Sequence, residues 1–350
     1  MPVATKQSSL PGQGTGRVRR QICGCRTHSL GAGERGRSSL LLKTNQGDPT
    51  RTITLRRQYV ADVTRRFKKV RKDIGTTVGT NDALGLKDPN HFITLQAAGP
   101  REFAFRQSAD KMEAFMAWLQ EQVDRDILEV EYGAGQAIVG YEGWQDVYIT
   151  RSYKKGMKRA QDELVKAGAA VPISDSALQA AFFAPIHADR VGMLFARNFR
   201  ELKGITEAMD QAISRSLAES IAEGRGPMQA ARILQKRVGA IGINRARTMA
   251  RTEIIRAHHS AMINTYRSAG IEGVIIRAEW RTAGDFRVCE ECEALEGEVF
   301  TLDEIENMIP LHPNCRCIAL PYLPTPEEEL EFQMEELEGL FEPDELEFLI

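Results

Sequence analysis

The chain has 350 residues, 42% hydrophobic and 27% charged, which is length for roughly two domains and enough apolar material for a packed core, so a wholly disordered chain is excluded. Its formal charge of −2 excludes a uniformly basic nucleic-acid coat, but the charge is unevenly placed: residues 1–72 hold 17 Lys and Arg against 3 Asp and Glu, and residues 326–350 hold 11 acids and no base. No run of about 18 apolar residues occurs, so no transmembrane helix is expected.

Residues 1–50 are rich in Gly, Ser, Thr and Arg without a hydrophobic period, and they read as a flexible basic arm because burial there cannot offset the entropy of ordering. The longest apolar run in this arm, Leu40 to Leu42, is too short for the core of a signal peptide, so a cytoplasmic rather than secreted chain is expected. Cys23 and Cys25 have no nearby His or second Cys pair and read as free thiols.

A basic amphipathic helix opens the next region, residues 51–189. Tyr59, Val63, Phe67, Val70 and Ile74 step by 4, 4, 3 and 4 and so share one helix face. Arg56, Arg57, Arg65, Arg66, Lys68, Lys69, Arg71 and Lys72 surround that stripe, a pattern suited to DNA phosphates, a membrane surface, an acidic protein groove or plain solvation. Residues 75–100 read as a connector. Helical patterns then run from about Ala109 to Gly270, with breaks predicted at Gly133 and Gly135, at Gly168 to Pro172, at Gly224 to Pro227 and at Gly239 to Gly242. β-rich chemistry is predicted at Gly273 to Thr282 and again at Cys317 to Tyr322. Residues 326–350 form an acidic tail in which Leu330, Met334, Leu337 and Phe341 make a narrow apolar stripe.

The sharpest chemical signal is Cys289-x2-Cys292, then, after nineteen residues, His312-x2-Cys315-x-Cys317. Two cysteines three apart can grip one ion, and a His/Cys pair from a distant segment can complete a tetrahedron. Four of six cysteines crowded together favour metal over a disulfide scaffold, with reduced thiols and disulfides as the alternatives. Cys289, Cys292, His312 and Cys315 are the favoured set for a structural Zn²⁺, and Cys317 is a substitute ligand. In an extended Cys315 to Cys317, both thiols face one way and Arg316 the other.

Ala246, Ala250, Glu253, Ala257, Ala261 and Asn264 line one smooth side of a helix. A glutamate there needs a partner, and Arg256 or an arginine from elsewhere is expected to supply it as a structural ion pair. Asp285 and Arg287 are a second candidate ion pair. His258 and His259 diverge by about 100° on a helix and do not share an ion. The sequence holds neither a phosphate-binding Gly-rich loop nor a nucleophile elbow, and no catalytic residue is assigned.

Taken together, Arg251-Thr252-Glu253 with Arg256-Ala257, then Trp280, Thr282-x2-Asp285-x-Arg287-Val288-Cys289-x2-Cys292, Leu295-x-Gly297 and His312-Pro313-Asn314-Cys315-Arg316-Cys317 resemble the phage Mu F-like head-morphogenesis family of minor capsid proteins. The resemblance covers about residues 190–322, and the basic helix at 56–72 is similar to the start of such proteins. It implies a non-enzymatic virion protein of a tailed phage. Such a protein lies inside the capsid near the portal, after assembly in the host cytoplasm, and acts in procapsid assembly, DNA packaging or ejection. The partners implied are a portal protein, a scaffold or major capsid protein, and packaged double-stranded DNA bound without sequence preference; no membrane is involved. The runner-up is a zinc-knuckle nuclease or other nucleic-acid-processing enzyme. The fold expected is mainly α with a small C-terminal α+β unit stapled by the Cys/His knuckle. Its organisation is an arm at 1–50, a helical region at 51–189, a head-morphogenesis domain at 190–325 with the knuckle at 280–322, and the tail at 326–350.

Overall fold

The computed structural model describes residues 47–87, 108–131, 142–169, 171, 174–270 and 275–338. Most of the expected arm, the breaks at Gly133 and Gly135, the pair Cys23 and Cys25, and tail residues 339–350 lie outside these.

The chain is mainly helical, with a small antiparallel sheet near its C-terminal end. Helix α1 (Ile53–Ile74) carries the predicted stripe, and Tyr59, Val63, Phe67, Val70 and Ile74 are all fully buried. Their partners come from α2 (Ser108–Asp126), α5 (Pro185–Ala222), α6 (Pro227–Arg237) and α7 (Asn244–Gly270), in a core that runs from Leu55 to Ile254. That core crosses the boundary expected at residues 189 and 190, because α5 to α7 supply the apolar surface that α1 needs.

Two glycine-rich stretches behave differently from the prediction. Gly75–Thr80 prolongs α1 as a π-helical turn rather than opening a connector, and Val238–Ile243 is a π-helical bridge joining α6 to α7 rather than a break. Close packing accounts for the second. A Cβ on Gly242 would stand 2.6 Å from a Phe67 ring carbon, so the missing side chain lets α1 press against the bridge. The breaks at Gly168 and at Gly224 to Pro227 fall as predicted. The chain turns at Gly168 after α3 (Asp146–Lys166), α4 (Asp175–Phe182) follows, and Pro227 opens α6.

Helix α7 is buried on nearly every side. Its small-residue face, Ala246 through Asn264, is buried throughout, and α3 lies close against it: a Cβ on Gly156 would stand 2.3 Å from the His258 carbonyl oxygen. A short hairpin of β1 (Val130–Glu131) and β2 (Glu142–Gly143) precedes α3.

After α7 come β3 (Arg277–Arg281), α8 (Glu290–Ala294), β4 (Val299–Phe300), α9 (Leu302–Ile305) and β5 (Ile318–Tyr322). The strands form one sheet in the order β4-β3-β5, with Trp280 opposite Ala319 and Ala278 opposite Phe300. Beneath it Trp280, Tyr266, Ile305 and Ile318 pack with Cys292, Cys315 and Cys317 in a second core. The tail starts as α10 (Pro326–Glu338), where Leu330 and Met334 of the stripe are 59% and 53% exposed; the side chains of Leu337 and Phe341 lie outside the described residues. Glu329 pairs with Arg277 at 2.8 Å, and Phe332 lies under the same guanidinium and against the Tyr322 ring. A buried arginine in β3 needs a carboxylate, which fixes the face of α10 that turns inward.

Candidate metal centre

The site begins in the loop after β3. Cys289 is the N-cap of α8, its sulfur accepting a hydrogen bond from the Cys292 amide at 3.4 Å, so one helical turn places both sulfurs on the same side. The second half comes from the turn His312 to Cys315, closed by the Cys315 amide donating to the His312 carbonyl at 3.1 Å. Asn314 takes φ of 64° in that turn, a left-handed conformation that Asn adopts more readily than most residues.

The His312 Nε2 atom lies 3.2 Å from Cys289 Sγ and 3.2 Å from Cys292 Sγ, and Cys292 Sγ lies 4.0 Å from Cys315 Sγ. The ligand atoms of Cys289, Cys292 and His312 all fall within 4.8 Å of one another, as do those of Cys292, Cys315 and Cys317. A tetrahedral ion with metal–sulfur bonds of about 2.3 Å and metal–nitrogen bonds of about 2.0 Å needs edges of about 3.5–3.8 Å, so either trio could hold a metal ion; the predicted set of four is not gathered as one group, because Cys315 falls with Cys292 and Cys317. The His312 ring is already oriented for it. Its Nδ1 donates to the Pro313 carbonyl at 3.0 Å, which leaves the Nε2 lone pair facing the sulfurs.

Between Cys315 and Cys317 the chemistry is unequal. A hydrogen bond from the Cys317 thiol lowers the Cys315 pKa, while Cys317 itself is pushed upward by that contact and by burial. The Cys315 and Cys317 sulfurs lie together just ahead of β5, and Arg316 between them reaches Asp285. Its guanidinium grips Asp285 at both carboxylate oxygens, at 2.6 and 2.7 Å. The predicted partner Arg287 binds the same carboxylate at 2.8 Å. Hydrogen bonding from Arg316 above all holds Asp285 well below the usual carboxylate range.

Helix α7 supports the centre from behind. The Thr252 hydroxyl accepts the Asn314 amide at 3.1 Å, and an Arg251 nitrogen lies 3.4 Å from the Asn314 side-chain oxygen. His259 Nε2 donates to the Ile305 carbonyl at 2.9 Å. Glu253 is 3% exposed, and burial raises its pKa against the pull of Arg256 at 3.4 Å and Arg197 at 3.5 Å. Arg197 on α5 is the arginine from elsewhere; no sequence period links it to α7.

The eight basic residues of α1 do not form one open face. Arg56 is buried against Asp48, and Arg66 turns inward to donate to the Asp126 carbonyl and stack on Trp144. Lys69 pairs with Asp126 and Arg65 with Asp62. Arg57, Lys68, Arg71 and Lys72 stay exposed. Arg57, Arg65 and Lys68 line a shallow groove of about 470 Å³ together with Arg247 of α7, which the sequence reading missed because only folding brings it alongside α1.

Residues 211–320, from α5 into β5, match the family model described as Phage Mu protein F like protein. This stretch is similar to the Mu F-like family. The Mu F-like region contains the Arg251-Thr252-Glu253 segment and all five knuckle residues, whereas α1 and its basic residues precede it. No curated protein and no solved structure matches the chain. Among the described residues, no helix is long and apolar enough to cross a membrane.

Proposed function

We propose that the chain is a minor capsid protein of a tailed bacteriophage, held inside the head near the portal and acting in procapsid assembly, DNA packaging or ejection. The observation that carries this reading is the Mu F-like match over residues 211–320, the stretch in which α7 and the knuckle are built into one support. In this reading Cys289, Cys292, His312 and Cys315 hold one structural Zn²⁺. Four protein ligands leave no open position for water, so the ion braces the fold and activates nothing.

The partners proposed are the portal protein, a scaffold or major capsid protein, and packaged duplex DNA. Arg57, Lys68, Arg71, Lys72 and Arg247 are the residues proposed to meet DNA phosphates, contacts that are independent of sequence and sensitive to salt. The nuclease alternative has less behind it. Glu253 is buried between two arginines, and His312 Nε2 faces thiols, so neither is placed as a general base for a solvent-borne substrate.

Mass spectrometry of purified phage particles from the source that encodes the chain tests the reading. A few copies per head, retained in procapsids and cross-linked to the portal ring, are expected. Absence from both procapsids and mature heads would refute it.

A further inference from the structure

Residues 47–52 form a strap that crosses the knuckle before α1 begins. The Gly47 amide donates to the Ala283 carbonyl at 3.0 Å, and Arg159 of α3 donates to the Pro49 carbonyl at 3.1 Å. Thr50 and Thr52 are buried, and Asp48 closes the strap onto α1 by accepting from the Ile53 amide at 2.9 Å and from Arg56. The most consequential contact is Arg316. The same guanidinium that grips Asp285 also donates to the Gly47 carbonyl at 3.1 Å. Gly47 has φ of 96°, and a Cβ there would stand 3.4 Å from an Asp285 oxygen, so a residue with a side chain would be strained in that backbone.

Arg316 lies between Cys315 and Cys317. Its side chain leaves the backbone between two sulfurs that lie within 4.8 Å of each other, so whatever fixes those sulfurs constrains its direction. Gripping a metal through Cys315 orients Arg316, Arg316 orients Asp285, and the pair holds the strap.

We infer that the Cys/His centre is a latch for the N-terminal strap, with Arg316 as the residue that couples metal occupancy to the docking of residues 47–52. The inference rests on the metal reading of the knuckle. Residues 1–46, which contain eight Lys and Arg and one acid, precede this strap in the chain. Metal occupancy thus decides whether the attachment point of a strongly basic segment is held or released. A chain stripped of metal keeps its α1 to α7 core but frees its N-terminal attachment.

Hydrogen–deuterium exchange on the full-length protein, with metal content measured in parallel, tests the latch. Arg316→Gln is expected to keep about one zinc per chain and yet raise amide exchange across residues 47–52 at least tenfold, with α2 unchanged. Chelation of the wild-type protein should raise exchange there by a similar factor, and chelation of Arg316→Gln should add little more at the strap. Wild-type exchange in a metal-loaded Arg316→Gln would overturn the latch. So would a chelated wild type in which residues 285–317 open while 47–52 stay protected. A wild type that binds no metal would defeat the metal reading and the latch together, and the exchange of Arg316→Gln would then report only on the static clamp.

Discussion

The Thr252 hydroxyl accepts a hydrogen bond from the Asn314 backbone amide, joining α7 to the turn between His312 and Cys315 across 62 residues of sequence. Thr252 in turn donates to the Thr248 carbonyl at 2.9 Å, so its hydroxyl is oriented by the helix before the knuckle arrives. Two motifs that look separate along the chain are one contact in the fold.

That contact predicts a graded pair of variants. Asn314→Gly should be nearly neutral, whereas Asn314→Ala should cost about 1–2 kcal/mol, because a Cβ without a local hydrogen-bonding group is disfavoured at positive φ. Thr252→Val should cost about 0.5–1.5 kcal/mol by leaving the Asn314 amide without its acceptor. Chemical denaturation of the metal-loaded protein checks all three. Equal stability of the Gly and Ala variants would show that the turn does not hold the left-handed conformation.

Cys289→Ser should lose the ion and locally unfold residues 280–320, since the binding free energy of such a centre is largely folding free energy. Elemental analysis of protein purified without chelating resin should give about one zinc per chain for wild type and well under half for the variant. Cys317→Ser should retain most of the metal, because Cys289, Cys292, His312 and Cys315 are the four ligands of the proposed site. Equal loss in both variants would instead make Cys317 a ligand.

Acid should weaken the fold through α7. Burial lowers His258 from 6.5 to about 3 and His259 to about 4. Below pH 6.5 the unfolded chain therefore takes up protons that the folded chain refuses. Stability is intact above about pH 7 and falls as pH drops from about 6.5 towards 4, by up to about 1.4 kcal/mol per pH unit for each histidine. His258→Gln should flatten that slope, even if it lowers stability overall. Denaturation midpoints between pH 7.5 and 4.5, with zinc content followed at each pH, measure it; an unchanged slope would dismiss His258 as its source.

Basic residues of α1 should divide by position. Replacing Arg57, Lys68, Arg71 and Lys72 with Gln should weaken non-specific duplex binding and reduce its salt dependence, while thermal stability stays within a few degrees. Arg56→Gln should do the reverse, destabilising the protein by leaving Asp48 unpaired in the strap. Gel-shift titrations at about 50 and 200 mM salt distinguish the two. A quadruple variant that binds DNA as wild type does would remove α1 from the DNA proposal.

Much of this was legible in the sequence where a period or a spacing encoded it. The α1 stripe and the small face of α7 both follow from helix geometry. What was illegible depended on partners from distant segments. Nothing local marks Arg56 and Arg66 as inward-facing while Arg57 and Lys68 remain outside; Asp48, Asp126 and Trp144 decide it. The glycines at 239 and 242 signalled a break, yet Phe67 uses the space Gly242 leaves and the helix continues. The acidic tail carried an apolar stripe, yet the face of α10 that turns inward is the one on which Glu329 meets the buried Arg277.

Helix α7 contributes to all three apolar clusters: Ala250 and Ile254 to the one around α1, Ala257 and Ala261 to the one with α3 and α4, and Ile255 and Tyr266 to the one beneath the sheet. The family-matched stretch is therefore not a portable module. Cut out at residues 211–320, it would carry α7 with two flanks stripped, exposing apolar surface that Phe67, Tyr153 and Leu164 cover in the whole chain. Such a fragment should self-associate even with its metal bound, and any exchange of this region between proteins must bring along partners for α1 and α3.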